Sequence, residues 1–185
     1  MKKITLLLFL SLSIPSTMAV SSKGNLTIGP IVGYERVQKI SPTPHTKDRL
    51  FYGIRAVYGP PLLSAEAEIT QGKDTESFPE RDLTIKETAT SAMVGLRSNF
   101  LRTKFLTTYI RAGGHARKSE VETTEAGVTT TREPAVNVSP YAGAGLNINL
   151  MNKFTLNLGI TAIFTGKPKG SDSEYQTSLG FTVNI

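Results

Sequence analysis

Apolar and polar residues alternate along most of the chain after residue 24. Between Asn25 and Arg36, one face of an extended chain carries apolar side chains and the other carries glycine, threonine and glutamate. The same alternation recurs in seven further ranges: 50–59, 63–70, 91–97, 106–117, 138–148, 154–164 and 175–185. A period of two is typical of β-strands with two unlike faces. The sequence therefore predicts eight strands.

The connections between these strands alternate in length. Those after the second, fourth and sixth predicted strands span only a few residues, whereas 37–49, 71–82, 118–137 and 165–173 are longer. Outer-membrane barrels have an even number of strands, short periplasmic turns and longer extracellular loops. We therefore predict an all-β fold, an eight-stranded antiparallel up-and-down transmembrane barrel, with both termini in the periplasm and four loops outside.

The two faces of the predicted strands indicate which side meets lipid. A soluble barrel of the lipocalin type would turn its apolar face inward. Here the polar face carries most of the strand glycines, and small residues beside large polar ones suit a narrow interior. The aromatic residues of the apolar face fall into two groups by height, as in the interfacial girdles of membrane barrels. They are Tyr34, Tyr52, Phe164 and Tyr175 towards the loops, and Tyr58, Phe154 and Phe181 towards the turns.

The first residues have the layout of a secretory signal peptide. Lys2 and Lys3 precede an apolar stretch from residue 4 to residue 14, and small residues lead to a cleavage site after Ala19. The stretch is shorter than the ~20 residues that span a bilayer as a helix. We expect residues 1–19 to be removed and residues 20–185 to form one barrel domain.

The final predicted strand ends in the pattern Gly180, Val183, Ile185, which is similar to the C-terminal signal read by the barrel-insertion machinery. With the signal peptide, the eight strands and the Pro-Tyr-Ala-Gly-Ala-Gly segment at 140–145, the chain resembles the small eight-stranded outer-membrane barrels. These include the OmpX-like proteins and the transmembrane domain of OmpA. The resemblance covers nearly the whole mature chain and implies an architecture more than an activity.

Charged residues on the polar face are expected to point into the lumen. An unpaired buried ion is costly, so a mixed set of acids and guanidiniums is expected to pair into a plug. The set is Arg55, Glu66, Glu68, Arg97, Arg111 and His115, with Glu35 and Arg117 as further candidates. The alternative is that Glu66 and Glu68 form a carboxylate pair for acid–base chemistry or cation binding.

The composition offers little catalytic chemistry. The chain has no cysteine and only two histidines, His45 and His115, so we expect no thiolate or transition-metal site and no cofactor. One alternative is an enzyme that modifies lipid A, which needs a nucleophile beside a histidine base. His115 and Ser119 share a face, but the deacylases' motif of His and Ser two residues apart is absent. A narrow pore for small solutes is the other alternative. We therefore expect a non-enzymatic barrel with a structural or surface-contact role.

The net positive charge of the chain favours anionic lipid as a partner. The net charge is +6, and removal of Lys2 and Lys3 leaves +4. Because the basic residues are scattered, we expect no nucleic acid partner, but contact with outer-membrane lipid and lipopolysaccharide. The cations predicted at the extracellular rim are Lys39, Lys47, Arg49, Lys73, Arg81, Lys86, Lys118, Arg132, Lys167 and Lys169.

The longest connection predicts a hairpin that extends beyond the membrane. β-Branched residues flank the turn sequence Glu125-Ala126-Gly127, which favours paired strands. The free edge of such a hairpin is a template for a partner's strand. We therefore expect Lys118–Asn137 to be a contact site for another surface protein.

Overall fold

A computed structural model describes residues 25–39, 43–60, 62–151, 153–165 and 173–184. The predicted signal peptide, Lys167, Lys169 and Ile185 lie outside these ranges. The described strands are β1 (Asn25–Lys39), β2 (His45–Gly59), β3 (Ser64–Phe78), β4 (Leu83–Arg102), β5 (Leu106–Glu125), β6 (Val128–Arg132), β7 (Asn137–Met151), β8 (Phe154–Phe164) and β9 (Ser173–Asn184).

These strands form an antiparallel ring of eight, with β6 attached to it as a side branch. Each ring strand pairs with its neighbours in the order β1-β2-β3-β4-β5-β7-β8-β9, and β9 pairs back with β1, as in Val32↔Leu179. The predicted eight-stranded up-and-down barrel is confirmed. Within the described residues, no helix is long and apolar enough to cross a membrane.

The ring is apolar outside and polar inside. Outward residues such as Ile54, Val94 and Ile160 are more than half exposed, whereas alternate residues such as Arg55 and Gln176 are buried within the ring. The inner face also has a small apolar cluster of Met93, Tyr141 and Ile163. The core of this fold is therefore a lumen filled mainly by polar side chains.

Two segments predicted as long loops are largely strand. β1 and β2 stay paired as far as Lys39↔His45, and β3 and β4 stay paired as far as Phe78↔Leu83. The loop prediction over 37–49 and 71–82 was therefore wrong for most of those residues. Beyond the apolar band both faces of these strands become mostly polar, so the hydrophobic alternation ends while the backbone hydrogen bonds continue.

β5 and β6 form the predicted hairpin. Val121–Glu125 pairs with Val128–Arg132 across the two-residue turn Ala126–Gly127. Both turn residues have positive φ, 48° and 79°, as a type I′ turn requires. Because β5 also pairs with β4 up to Leu83↔Glu125, the extensions of β3, β4 and β5 together with β6 form one sheet beyond the ring. We call it the outer sheet.

Candidate functional site: the charged lumen

Five side chains from four consecutive strands meet inside the ring and form what we call the lower charge layer: Arg55, Glu66, Glu68, Arg97 and Arg111. The strand register places Arg55 beside Glu68 and Arg97 beside Arg111. Arg111 Nη1 lies 2.6 Å from Glu66 and 2.9 Å from Glu68. Arg97 Nη1 lies 3.1 Å from Glu66, and Arg55 Nε donates to Glu68 at 2.9 Å. Every one of these side chains is almost fully buried.

Two tyrosines pack against this layer. The guanidinium carbon of Arg97 lies 3.6 Å from the centre of the Tyr109 ring, and that of Arg111 lies 5.5 Å from the Tyr141 ring. Glycine makes room for both rings, because a Cβ at position 145 would lie 2.4 Å from the Tyr109 hydroxyl and one at position 95 would lie 2.6 Å from the Tyr141 hydroxyl. Small residues on the inner face therefore allow large side chains to fill the lumen.

A second set of ion pairs lies towards the loop end, and we call it the upper charge layer: Glu35, Lys39, Arg49, Asp74, Glu87, Arg117 and Glu174. Arg117 binds Glu35 at 2.9 Å and Glu174 at 2.5 Å. Arg49 also binds Glu35, and it reaches Glu87 at 3.1 Å. Lys39 lies 3.0 Å from Asp74 and 2.6 Å from Glu87.

Most of the upper charge layer was not predicted from the sequence. The prediction that Lys39 and Arg49 lie at the extracellular rim and face lipopolysaccharide was wrong, because both side chains point inward and the Arg49 side chain is 0% exposed. Their positions have the same parity as Glu35 and Arg55 in their strands. Extending the alternation past the apolar band would have found them.

His115 is buried between the two layers, and its Nε2 has no hydrogen-bond partner among the described residues. Ser119, its expected neighbour, donates its hydroxyl to Glu87 at 2.9 Å instead. In the described part of the chain, the Ser119 hydroxyl therefore bonds to a carboxylate and not to the His115 ring. Nor does that part hold a group of three or more His, Asp or Glu residues placed to bind a metal ion.

Two carboxylates at the loop end are held ionised by neighbouring cations. Burial acts to raise the pKa of Glu87, but the hydrogen bond and charge of Lys39, with the charge of Arg49, lower it to about 2. The hydrogen bond of His45 Nε2 to Glu76 measures 3.0 Å. The Thr43 carbonyl and Glu76 together raise the pKa of His45. Burial acts to raise the pKa of Glu76, but the hydrogen bond of His45 and the charges of Lys39, His45 and Lys47 lower it.

Cavities lie at opposite ends of the lumen. One, of about 160 Å³, lies at the turn end and reaches Arg97. The other, of about 790 Å³, lies at the loop end between the upper charge layer and the β5–β6 hairpin. Arg55, Glu68 and Arg111 lie on the wall of neither. The two cavities are therefore separated by paired charges.

The outer face carries the aromatics that the sequence assigned to girdles. Tyr34, Tyr52, Tyr58, Phe154, Phe164, Tyr175 and Phe181 all point outward and are exposed. Phe154 and Phe181 stack with their ring centres 5.4 Å apart. Phe100 and Phe105 are also exposed at the turn end. These two were not predicted from the sequence because Phe100 follows one predicted strand and Phe105 precedes the next.

The described part of the predicted C-terminal signal lies at the closure of the ring. Gly180 faces inward, where a Cβ would come within 2.8 Å of Ile31 Cγ2. Val183 pairs with Ile28 on one side and Phe154 on the other.

Residues 4–184 match the protein family described as outer membrane protein beta-barrel domain. No curated protein sequence is significantly similar to the chain. Similar solved structures include Ail of Yersinia pestis in complex with the heparin analogue sucrose octasulfate, 16% identical, with a TM-score of 0.60 over 88% of this chain and 99% of that one. Neisserial surface protein A is 14% identical, with a TM-score of 0.54 over 86% and 96%. OprG of Pseudomonas aeruginosa is 8% identical, with a TM-score of 0.56 over 89% and 97%. These structural likenesses indicate a shared fold.

Proposed function

Because the chain belongs to the outer-membrane β-barrel family, we propose that it is a non-enzymatic barrel with a closed lumen whose outer sheet contacts other molecules at the cell surface. The outer sheet is the observation that carries this proposal. β4 and β5 are each 20 residues long, about twice the 9–11 residues that cross a bilayer. The excess length is folded into paired strands beyond the membrane.

The contact edge in this proposal is β6. Its residues Val128–Arg132 are all exposed, and β5 is its only paired neighbour among the described strands. An unpaired strand edge offers backbone donors and acceptors to an incoming strand, with side chains supplying selectivity. A protein partner that adds a β-strand is therefore the preferred ligand.

A shortened hairpin tests the surface contact. Residues 123–130 are replaced by an Asn-Gly turn that joins Glu122 to Thr131, a pair already in register. Intact outer membranes are then crosslinked and the wild type and the variant purified side by side. Partners captured only by the wild type support the proposal. Equal capture by both proteins contradicts it, as does hydrogen exchange of Val121–Thr131 at unfolded-peptide rates.

The closed lumen is supported by the lower charge layer. Eight strands enclose an interior only wide enough for side chains to fill, and here arginine, glutamate and tyrosine fill it. We expect the wild type to conduct poorly in planar bilayers. Replacing Arg55, Arg97 and Arg111 together with Ala should raise conductance, whereas replacing the outward Lys73 and Lys86 with Ala should not. Steady passage of a large solute through the wild type would refute a closed lumen.

Lipopolysaccharide is a second proposed ligand, favoured by the positions of Lys73 and Lys86. Both side chains are exposed on the outer face, and Lys73 pairs with Thr88, two residues from Lys86. Neither lysine has an ion pair among the described residues. Both lie on the loop side of Tyr52, a residue of the girdle near the loops. A polyanion, sucrose octasulfate, is the ligand in the Ail complex. Cations near an anionic membrane surface contribute about 1 kcal/mol each.

Binding to purified lipopolysaccharide at several salt concentrations tests this ligand. We expect binding to weaken with added salt and with Lys73→Gln plus Lys86→Gln. Lys104→Gln, at the turn end, is the matched control and should bind like the wild type. Binding that is insensitive to salt and to the lysine changes would exclude these contacts.

A further inference from the structure

The cavity at the turn end has an unusual wall. It is lined by asparagine, threonine, serine, glycine, valine and two arginines, Arg97 and Arg102, and its described wall contains no carboxylate. Arg97 pairs with Glu66, but Glu66 is not part of this wall. A cavity of this composition offers hydrogen-bond donors and positive charge together, which is the chemistry that binds oxyanions.

Several donors of the wall are left over after the internal hydrogen bonds are formed. Arg97 gives Nη1 to Glu66 and Nη2 to the Oδ1 of Asn147, and its remaining N–H groups have no partner among the described residues. Because Oδ1 of Asn147 is the acceptor, its Nδ2 stays available to donate. The Thr107 hydroxyl makes no hydrogen bond in the described structure, and Arg102 makes no ion pair there.

The charge balance also favours an anion at this end. The lower charge layer has three guanidiniums and two carboxylates, so it carries an excess positive charge. The upper charge layer has three cations and four carboxylates. Six residues separate Arg111 from Arg117 along β5, which is roughly 20 Å at ~3.3 Å per residue. The two layers are therefore well separated along β5, whereas the cavity borders Arg97 directly.

We propose that this cavity is a periplasmic binding site for an oxyanion, the carboxylate or phosphate group of a small solute. Short turns of barrels in this class face the periplasm, which places the cavity on that side. A volume of about 160 Å³ corresponds to roughly five water molecules at ~30 Å³ each. The site therefore accepts one oxyanion group attached to a small molecule. Arg97, Arg102, Thr107 and Asn147 hold the oxyanion.

Titration of the isotope-labelled, folded barrel tests the site. Inorganic phosphate and acetate are added in separate arms at constant ionic strength, with chloride as the reference, and the amide and asparagine side-chain resonances are followed. We expect saturable shifts at Thr107 and Asn147. Arg102→Gln removes a charge-assisted donor and should weaken binding by about tenfold or more. Lys104→Gln, in the same turn but outside the cavity wall, should leave binding unchanged.

Each outcome decides the proposal. Saturation by phosphate alone, by acetate alone or by both supports it and identifies the group that the site accepts. Arg102→Lys should retain binding within a few-fold, since it keeps the charge. Shifts that grow linearly and match those of chloride would overturn the proposal, and so would equal weakening by Arg102→Gln and Lys104→Gln. Folding of every variant is checked by the gel mobility of unheated samples.

Discussion

Replacing Glu66 with Gln should destabilise the barrel strongly, because this carboxylate forms ion pairs with three arginines. Its oxygens lie 2.6 Å from Arg111, 3.1 Å from Arg97 and 4.0 Å from Arg55. The change keeps the side-chain shape but removes the charge, leaving three buried guanidiniums beside Glu68 alone.

The expected cost follows from the type of contact. Removing one partner of a buried ion pair costs about 3–5 kcal/mol. The amide oxygen of the new side chain can still accept from Arg111, which recovers about 1 kcal/mol. We therefore expect Glu66→Gln to lower the free energy of unfolding by about 2–4 kcal/mol.

Urea unfolding in phospholipid vesicles measures this cost. The chain has no tryptophan, so unfolding is followed by gel mobility and circular dichroism. Glu133→Gln is the matched control, because Glu133 also pairs with a cation, Lys118, but both side chains are more than half exposed. The control should show no measurable change. If Glu66→Gln proves as stable as the control, the lower charge layer does not hold the barrel together.

The remaining predictions concern the lipid face and the loop end. Ile110→Arg, at an outward position of the apolar band, should cost about 2–4 kcal/mol, and Phe105→Arg, at the turn end, only about 0–1; equal costs would contradict the assigned depths. The lowered pKa of Glu87 means that its contribution to stability is present above its ordinary value of 4.5 and is lost as the pH falls towards 2. The stability difference between wild type and Glu87→Gln should therefore shrink as the pH falls from 5 to 2. A constant difference would contradict the lowered pKa of Glu87. The His45 ring should titrate above its usual range by NMR, and Glu76→Gln should lower the midpoint; an unchanged midpoint would exclude that ion pair.

The alternation of apolar and polar residues predicted the inner and outer faces of the strands, but only within the apolar band. Within that band, parity alone placed Arg55 and Glu68 on the inner face and Ile54 on the outer face, because a period of two leaves only two choices. Beyond the band, Lys39 and Arg49 lost this guide, since polar residues occupy both faces.

The contacts inside the lumen could not be predicted from the alternation, for a different reason. Alternation states the side of the sheet but not the height of a residue relative to distant strands. The approach of Arg97 to Tyr109, and the space that glycine at position 145 leaves for that ring, depend on the register of several strands at once. The cavity at the turn end likewise gathers residues from strands far apart in sequence.

The pairing of β1 with β9 has a consequence for the order of assembly. The lower charge layer draws only on β2 to β5, which follow one another along the chain and are joined by hairpins. That cluster can form while the chain is still an open curved sheet. The β1–β9 seam joins the two ends of the sequence, and such distant pairings form slowly. Arg117 on β5 binds Glu35 on β1 and Glu174 on β9, and Gln176 of β9 donates to the same Glu35 at 2.9 Å. Arg117 can therefore contact both strands only after the ring has closed. The folding intermediate most prone to incorrect edge pairing is then one in which the lower charge layer has formed while β1 and β9 are still unpaired.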